Sequence, residues 1–202
     1  MPSRSGPGFG PILKESNMSL RIGVDVDGVL CDFINGFCDL AHDFYGKDLP
    51  RTPDCWNWAD QHLTKEEHQD LWKHIETDPR WWGDLDPLNR VMHGPLIRRW
   101  ARSHDLFAIT TRPGAGSQWR TGVWLEDHFA TPISVIVTRN ARDKAKVARA
   151  LDLTHFVDDN PDNIRAVMIE IPECKTRLIS ASHNLTATDL DPYRITELGD
   201  LL

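Results

Sequence analysis

The chain has 202 residues, which is enough for one α/β domain with a modest insertion and too few for two full-size domains. Its composition, 40% hydrophobic and 26% charged, is typical of a globular protein and excludes a disordered or collagen-like chain. The net charge of −7 argues against a general polyanion-binding protein, so we expect no long nucleic acid as a partner. No apolar run reaches the roughly 18 residues of a transmembrane helix, so we expect no membrane partner either.

The cysteine pattern and the first residues of the chain bear on its compartment. The four cysteines show neither a CxxC pair nor a metal-binding spacing. The first residues lack the apolar core of a secretory signal peptide, so we predict a reduced, cytoplasmic chain. Glycine and proline fill five of the six positions from 6 to 11, which predicts a flexible N-terminal tail over residues 1–19.

Short apolar strands alternate with amphipathic helices along most of the chain. Strands are predicted at residues 21–26, 106–110, 133–137, 155–157 and 176–180. A helix follows the first strand from Phe33 to Phe44, and further helices follow the third and fourth strands. We predict that Asp143 caps one of these and that Asn160, just before Pro161, caps the other. Such alternation is typical of a parallel sheet with helices on both faces.

Residues 34–87 interrupt this alternation because they are mainly helical and rich in tryptophan. The chain has eight tryptophans, and this segment holds Trp56, Trp58, Trp72, Trp81 and Trp82. A capping box at Thr64 to Glu67 precedes a helix that carries Leu71 and Ile75. We therefore predict an α/β core over residues 20–33 and 88–202 and a helical cap over residues 34–87. The remaining tryptophans, Trp100, Trp119 and Trp124, are predicted to pack within helices of the core.

Polar side chains collect where the predicted strands end. They are Asp25 and Asp27 after the first strand, Thr110, Thr111 and Arg112 after the second, Lys144 before the fourth, and Asp158 and Asp159 after it. Each group alone has a structural explanation, such as an acidic turn, a helix cap or a solvated lysine. Because ligands bind outside the carboxyl ends of parallel strands, the complete set in this order indicates one shared site.

The composition of this set indicates a class of chemistry. Carboxylates without histidine or cysteine partners favour a hard cation, for which Mg²⁺ is the leading candidate. A carboxylate nucleophile, a second acid, a lysine and Mg²⁺ together make a site for phosphoryl transfer.

Four ordered motifs resemble those of the haloacid dehalogenase (HAD) superfamily of phosphohydrolases. They are Asp25-Val26-Asp27-Gly28-Val29, Ile109-Thr110-Thr111, Lys144 and Val157-Asp158-Asp159. The resemblance implies a HAD-like Rossmannoid sheet, with Asp25 as the nucleophile that forms an aspartyl-phosphate and Asp27 as general acid and then base. It implies that Thr110 binds the phosphoryl group and that Lys144 neutralises charge. It also implies that Mg²⁺ is held by Asp25, the backbone carbonyl of Asp27 and Asp159, with Asp158 in support.

Within the superfamily, the sequence is most similar to the 5'(3')-deoxyribonucleotidases. The matching stretches are DVDGVLCDF from Asp25 to Phe33, Cys55-Trp56, Leu71-Trp72, Leu85-Asp86-Pro87, Thr110-Thr111-Arg112-Pro113, Trp124-Leu125-Glu126 and Arg142-Asp143-Lys144. The resemblance implies that Phe33, Trp56 and Trp72 line a nucleobase pocket; the alternative is that the cap tryptophans, above all Trp58, Trp81 and Trp82, form the core of a small helical cap. Thr111 and Arg112 lengthen the phosphate-side loop by one residue relative to the family, and Arg112 is a candidate to grip a second anionic group.

The resemblance implies a Mg²⁺-dependent phosphatase whose partner is a small phosphorylated substrate, namely a nucleoside monophosphate. One alternative is a HAD phosphatase for another small metabolite or for a nucleic-acid terminal phosphate. Another is a non-catalytic nucleotide-binding protein, which would be expected to lack Asp25, Asp27 or Lys144, whereas all three are present. Because related enzymes are often dimers, a homodimer is a candidate assembly.

Overall fold

Six parallel strands form one sheet in the computed structural model, which describes residues 19–78 and 80–202. The strands are β1 (Arg21–Val24), β2 (Asp105–Thr110), β3 (Ser134–Val137), β4 (His155–Asp158), β5 (Lys175–Ile179) and β6 (Arg194–Ile195). Their order across the sheet is β3-β2-β1-β4-β5-β6, and each neighbouring pair is parallel. The predicted α/β fold class is therefore confirmed. The predicted flexible tail lies outside the described residues except for Ser19.

Helices connect the strands. They are α1 (Phe33–Tyr45), α2 (Lys65–Thr77), α3 (Arg90–Ser103), α4 (Ser117–Phe129), α5 (Asp143–Ala150) and α6 (Pro161–Glu170). Short 3-10 turns lie at Trp58–Gln61, Trp81–Gly83, Ser182–Asn184, Thr188–Tyr193 and Leu198–Leu201. Among the helices of the described ranges, none has the length and apolar character needed to cross a membrane.

Side-chain caps determine where several helices begin. The capping box predicted for α2 is present, because Thr64 Oγ1 accepts from Glu67 N at 3.2 Å and Glu67 Oε2 accepts from Thr64 N at 2.7 Å. Asn160 caps α6 and Pro161 is its first residue, as predicted. The prediction for α5 is wrong by one position: Arg142 is the N-cap, and Asp143 is the first residue of the helix. The Asp143 carboxylate accepts from Asn140 and Lys146 instead of capping the backbone.

Apolar residues pack on both faces of the sheet. On one face, Ile22 and Val24 of β1 belong to a buried cluster with side chains of α1, α3 and α4. On the other face, Phe156 of β4 belongs to a cluster formed with α5 and α6. Gly23 lies between these layers, where a Cβ atom would come within 2.9 Å of the Phe156 ring. The two faces confirm the predicted arrangement of helices on both sides of a parallel sheet.

The three tryptophans predicted to pack within the core helices differ in burial. Trp100 and Trp124 are each 1% exposed, whereas Trp119 is 65% exposed, so the packing prediction is wrong for Trp119. Trp119 precedes Trp124 by five residues on α4, which places the two side chains about 140° apart around the helix axis. When Trp124 faces the sheet, Trp119 therefore faces away from it.

The segment between β1 and β2 contains α1, α2 and the tryptophan-rich turns. Phe37 of α1 packs edge-to-face against Trp58 and contacts Trp72 of α2. Trp81 and Trp82, in the turn after α2, are both buried. These aromatic side chains form one cluster that supports α1 and α2 beside the end of β1. The division of the chain into an α/β core and a cap over residues 34–87 stays a prediction.

Candidate active site

A tight loop after β1 carries the first two acidic residues of the site. The backbone carbonyl of Val26 accepts from Leu30 N and from Cys31 N, each at 2.8 Å, which turns the chain back sharply. Gly28 adopts a φ of +79°, and a Cβ atom at this position would lie 2.0 Å from Asp159 Oδ2. Glycine is therefore required here both for the turn and for the close approach of the β4 end.

A lysine bridges two carboxylates at the centre of the site. Lys144, in the first turn of α5, places its Nζ 2.6 Å from Asp25 Oδ2 and 2.9 Å from Asp158 Oδ2. All three residues are buried. Burial lowers the pKa of Lys144, but the Asp158 and Asp25 carboxylates outweigh this effect and raise the pKa above its ordinary value. Lys144 therefore holds its proton more firmly than a free lysine does.

Asp25, the first acid of the site, is held in place on both sides. Its Oδ1 accepts a hydrogen bond from Val26 N at 2.7 Å, while Lys144 binds Oδ2. Burial raises the pKa of Asp25 well above its ordinary value, and nearby Asp158 raises it further, whereas Lys144 lowers it. Burial is thus the largest cause of the raised pKa, and the ammonium group of Lys144 does not cancel it.

Three carboxylates have the arrangement that a metal ion requires. Asp25, Asp158 and Asp159 each offer an oxygen within 4.8 Å of the other two. Asp159 Oδ1 is buried and has no hydrogen-bond donor among residues 19–78 and 80–202. Burial raises the pKa of Asp159, while the adjacent His183 lowers it. An oxygen-only donor set with an unpartnered buried oxygen fits a hard divalent cation such as Mg²⁺.

Thr110 and Arg112 both bind Asp27. The Arg112 guanidinium donates from Nη2 to Asp27 Oδ1 at 2.7 Å and from Nε to Asp27 Oδ2 at 2.9 Å. Thr110 Oγ1 donates to Asp27 Oδ2 at 3.0 Å. The Arg112 side chain is fully buried and lies behind the cavity wall rather than on it. The structure therefore places Arg112 against an acidic residue of the protein, and not where it would grip a second anionic group of a substrate.

A cavity of about 300 Å³ opens above these groups. Its floor contains Asp25, Asp27, Lys144 and Asp159, and its walls include Phe33, Trp56, Trp72 and Thr111. Phe33 stacks on Trp72 with ring centroids 5.7 Å apart. Trp56 is 50% exposed and packs edge-to-face against His183 at 5.2 Å. Trp58 and Trp82 also contribute to the walls, while each is less than a tenth exposed. The structure thus brings together every predicted site residue, with Asp158 beneath the floor and Arg112 behind it.

Two further polar residues complete the site and were not predicted. His183, in the turn after β5, places Nε2 2.9 Å from Asp159 Oδ2. Asn163 donates from Nδ2 to both oxygens of Asp158, at 3.1 and 3.0 Å. Asn163 follows the helix cap at Asn160 by three residues and lies beside the apolar face of α6, so its burial could have been inferred. His183 lies in a turn with no periodic pattern, and no local signal in the sequence identifies it.

Solved structures with a similar fold are HAD hydrolases. A haloacid dehalogenase-like hydrolase from Bacteroides fragilis is 15% identical with a TM-score of 0.59, over 91% of this chain and 100% of that one. A haloacid dehalogenase-like hydrolase from Burkholderia xenovorans is 12% identical with a TM-score of 0.54, over 91% and 94%. A HAD-superfamily hydrolase from Geobacter sulfurreducens is 15% identical with a TM-score of 0.51, over 91% and 100%. No curated protein sequence matches the chain.

The parallel sheet has the fold of the HAD hydrolases, and the carboxylate–lysine site lies at its edge. The chain belongs to the family described as 5' nucleotidase, deoxy (Pyrimidine), cytosolic type C, which it matches over residues 18–196. It is accordingly a HAD phosphatase, a hydrolase of phosphoric monoesters. The resemblance found in the sequence motifs is confirmed.

Proposed function

We propose that this phosphatase is Mg²⁺-dependent and hydrolyses nucleoside monophosphates, with deoxyribonucleotides among its substrates. The observation that carries the proposal is the position of Asp25, Asp27, Lys144 and Asp159 on the floor of a cavity with aromatic walls. The floor supplies groups suited to phosphoryl transfer, and the walls supply flat surfaces suited to a nucleobase. Membership of a nucleotidase family supports the same substrate class.

The proposed reaction has two steps, in which Asp25 is the nucleophile and Asp27 transfers the protons. A carboxylate oxygen of Asp25 attacks phosphorus, the bond from phosphorus to the ester oxygen breaks, and the ester oxygen takes a proton from Asp27. Asp27 then removes a proton from water, whose oxygen attacks phosphorus and breaks the bond to Asp25. The products are the free alcohol and inorganic phosphate, with Asp25 again a carboxylate and Asp27 again protonated.

Lys144 and the metal ligands control the charge around this reaction. Lys144 contacts Asp25 directly and therefore offsets the negative charge that builds up as phosphate approaches the carboxylate. Asp25, the backbone carbonyl of Asp27 and Asp159, with Asp158 in support, would hold Mg²⁺. Bound there, Mg²⁺ would supply positive charge that stabilises the phosphoryl oxygens. Thr110 Oγ1 donates its one proton to Asp27 Oδ2 and so helps to fix this carboxylate.

The aromatic walls provide the proposed binding energy for the base. Stacking of a base on an aromatic ring contributes about 1–3 kcal/mol. Trp56 is half-exposed beside the cavity, whereas Phe33 and Trp72 already stack on each other deeper in the wall. Trp56 is therefore the residue with the most free ring surface for a base.

An activity screen tests the proposed function. The purified protein with Mg²⁺ is offered deoxyribonucleoside and ribonucleoside monophosphates, sugar phosphates and an aryl phosphate, with EDTA as a control. We expect hydrolysis of nucleotides that EDTA abolishes. Asp25→Asn is expected to lower kcat by about 10³-fold or more, since it removes the nucleophile.

Asp43→Asn is the matched control, because Asp43 is an exposed carboxylate on α1. It should leave kcat unchanged. Near-normal turnover by Asp25→Asn would contradict the nucleophile assignment. A clear preference for sugar phosphates over all nucleotides would contradict the substrate class.

A further inference from the structure

Arg112 is a fully buried cation, and each of its three side-chain nitrogens donates a hydrogen bond to a protein group. Its Nη1 donates to Thr121 Oγ1 at 3.1 Å, while Nε and Nη2 donate to Asp27. The guanidinium carbon lies 4.6 Å from the ring centroid of Trp82 and 5.9 Å from that of Trp124. Arg112 is therefore fixed on two sides by aromatic faces and at both ends by hydrogen bonds.

The groups that hold Arg112 are themselves fixed. Thr121 Oγ1 donates to the carbonyl of Ser117 at 2.8 Å, so its remaining lone pairs face the guanidinium. Trp82 donates from Nε1 to the carbonyl of Pro113 at 3.2 Å. The orientation of the guanidinium therefore depends on α4 and on the turn that contains Trp82, and not on a bound substrate.

The hydrogen bonds to Asp27 distinguish its two carboxylate oxygens. Oδ2 accepts two hydrogen bonds, one from Arg112 Nε and one from Thr110 Oγ1. Oδ1 accepts one hydrogen bond, from Arg112 Nη2. Because each carboxylate oxygen has two lone pairs, the donors within residues 19–78 and 80–202 leave one free position on Oδ1 and none on Oδ2. Only Oδ1 can then carry or receive a proton without breaking a hydrogen bond.

We propose that Arg112 is a positioning residue that orients Asp27, so that Oδ1 exchanges the proton with the leaving ester oxygen. The proposal rests on the proposed role of Asp27 as general acid. In the first step, the proton on Asp27 Oδ1 moves to the ester oxygen as the bond from phosphorus to that oxygen breaks and the bond from phosphorus to Asp25 forms. Arg112 itself contacts neither the substrate nor the phosphoryl group.

If Arg112 only stabilised the fold, its replacement would lower activity on all phosphate esters to the same extent. A buried ion pair often adds little net stability compared with apolar residues of similar volume, so stability alone is a weak reason for the pair. A positioning role, in contrast, affects the steps in which Asp27 transfers a proton, and the first of these is the step in which the ester oxygen leaves. A nucleotide loses a poor alkoxide leaving group, whereas p-nitrophenyl phosphate loses a phenolate that leaves without protonation.

The test compares kcat/KM for a deoxyribonucleoside 5'-monophosphate and for p-nitrophenyl phosphate, because kcat/KM includes only the steps up to the aspartyl-phosphate. Arg112→Met is expected to lower kcat/KM for the nucleotide by about 10²-fold or more and for the aryl ester by less than about tenfold. KM for the nucleotide should change little. Arg112→Lys should recover part of the loss, because lysine keeps the charge without the two-point hydrogen bond.

Two further variants keep the test decisive. Thr121→Val removes the partner of Arg112 Nη1 without touching Asp27, and we expect a smaller loss with the same preference for the aryl ester. If Arg112→Met does not fold, this variant and Arg112→Lys decide the question. Arg120→Met, which replaces an arginine outside the cavity wall, is the control and should change neither ester.

Equal losses on both esters, or a rise in KM alone, would overturn the positioning role. Asp27→Asn separates this result from a failure of the proposed function. If Asp27→Asn shows no preference for the aryl ester, the general-acid role of Asp27 is wrong. If Asp27→Asn shows that preference and the Arg112 and Thr121 variants do not, only the role of Arg112 is wrong.

Discussion

Gly28 shows how one residue determines the geometry of the site. Its positive φ makes the turn after Asp27, and its lack of a side chain admits Asp159 Oδ2 into the same space. Gly46, the C-cap of α1, also has a positive φ of +64°, but apart from its chain neighbours no atom of the described residues lies within 4 Å of a Cβ placed there. Both glycines therefore adopt a positive φ, but only Gly28 is also in close contact with another residue, Asp159.

Gly28→Ala and Gly46→Ala form a matched pair for this comparison. Each should lower the free energy of unfolding by about 1–3 kcal/mol, because alanine is strained at positive φ. Gly28→Ala should in addition weaken Mg²⁺ binding and lower kcat, because its methyl group displaces Asp159. Chemical denaturation and Mg²⁺ titration of activity measure these effects. Equal activity of the two variants would show that the contact with Asp159 is unimportant.

The sequence predicts which residues meet in the site, but not the direction of every side chain. Asp25, Asp27, Lys144 and Asp159 could be placed together because each lies at the end of a strand or the start of a helix leading into one. The direction of the Arg112 side chain could not, because it depends on the packing of Trp82 and α4 around it. A cationic residue next to a phosphate-binding loop is read from sequence as facing the ligand, whereas here it faces Asp27.

Helix α2 carries part of the cavity wall, so the stability of its first turn affects the site. The helix carries Trp72 into the cavity wall, and Trp72 Nε1 donates to His68 Nε2 at 3.0 Å one turn earlier on the same helix. The capping box at Thr64 and Glu67 satisfies two backbone N–H donors at this start, those of Thr64 and Glu67. This element was predictable, because the capping box is a local signal and the apolar positions follow helical spacing.

Thr64→Ala removes one hydrogen bond of this capping box. We expect the free energy of unfolding to fall by about 1 kcal/mol, the usual effect of losing a Ser or Thr cap. Thr52→Ala, at an exposed position outside any helix, should change it by less than about 0.5 kcal/mol. Urea denaturation followed by circular dichroism measures both. An unchanged midpoint for Thr64→Ala would mean that α2 is held by packing alone.

At the scale of the whole molecule, the strand order explains why the motifs meet. The acidic and hydroxyl motifs follow β2, β1 and β4, which are neighbours in the sheet. Sequence reasoning predicted a parallel sheet but not this order, since strand order is determined by long-range packing. It missed β6, which has two residues and thus no readable alternation. The homodimer and the cytoplasmic location stay predictions.

The charge balance of the site links metal binding to the stability of the whole chain. Three buried carboxylates, Asp25, Asp158 and Asp159, surround one ammonium group, and burial raises the pKa of both Asp25 and Asp159. A ligand that binds only the folded state stabilises it by about 2.7 kcal/mol at a free concentration 100 times its Kd. Mg²⁺ should therefore raise Tm by several degrees in a chain of this size.

Asp159→Asn should abolish the stabilisation of the folded chain by Mg²⁺. Replacing one carboxylate with a neutral amide relieves like-charge repulsion, so the metal-free variant should melt at or above the temperature of the metal-free parent protein. The same change removes a metal ligand, so the rise in Tm with Mg²⁺ should disappear. Differential scanning calorimetry with EDTA, with Mg²⁺ and with NaCl at equal ionic strength separates ion binding from screening. Asp43→Asn should keep the full response to Mg²⁺. A rise in Tm of Asp159→Asn as large as that of the parent would exclude Asp159 from the metal site.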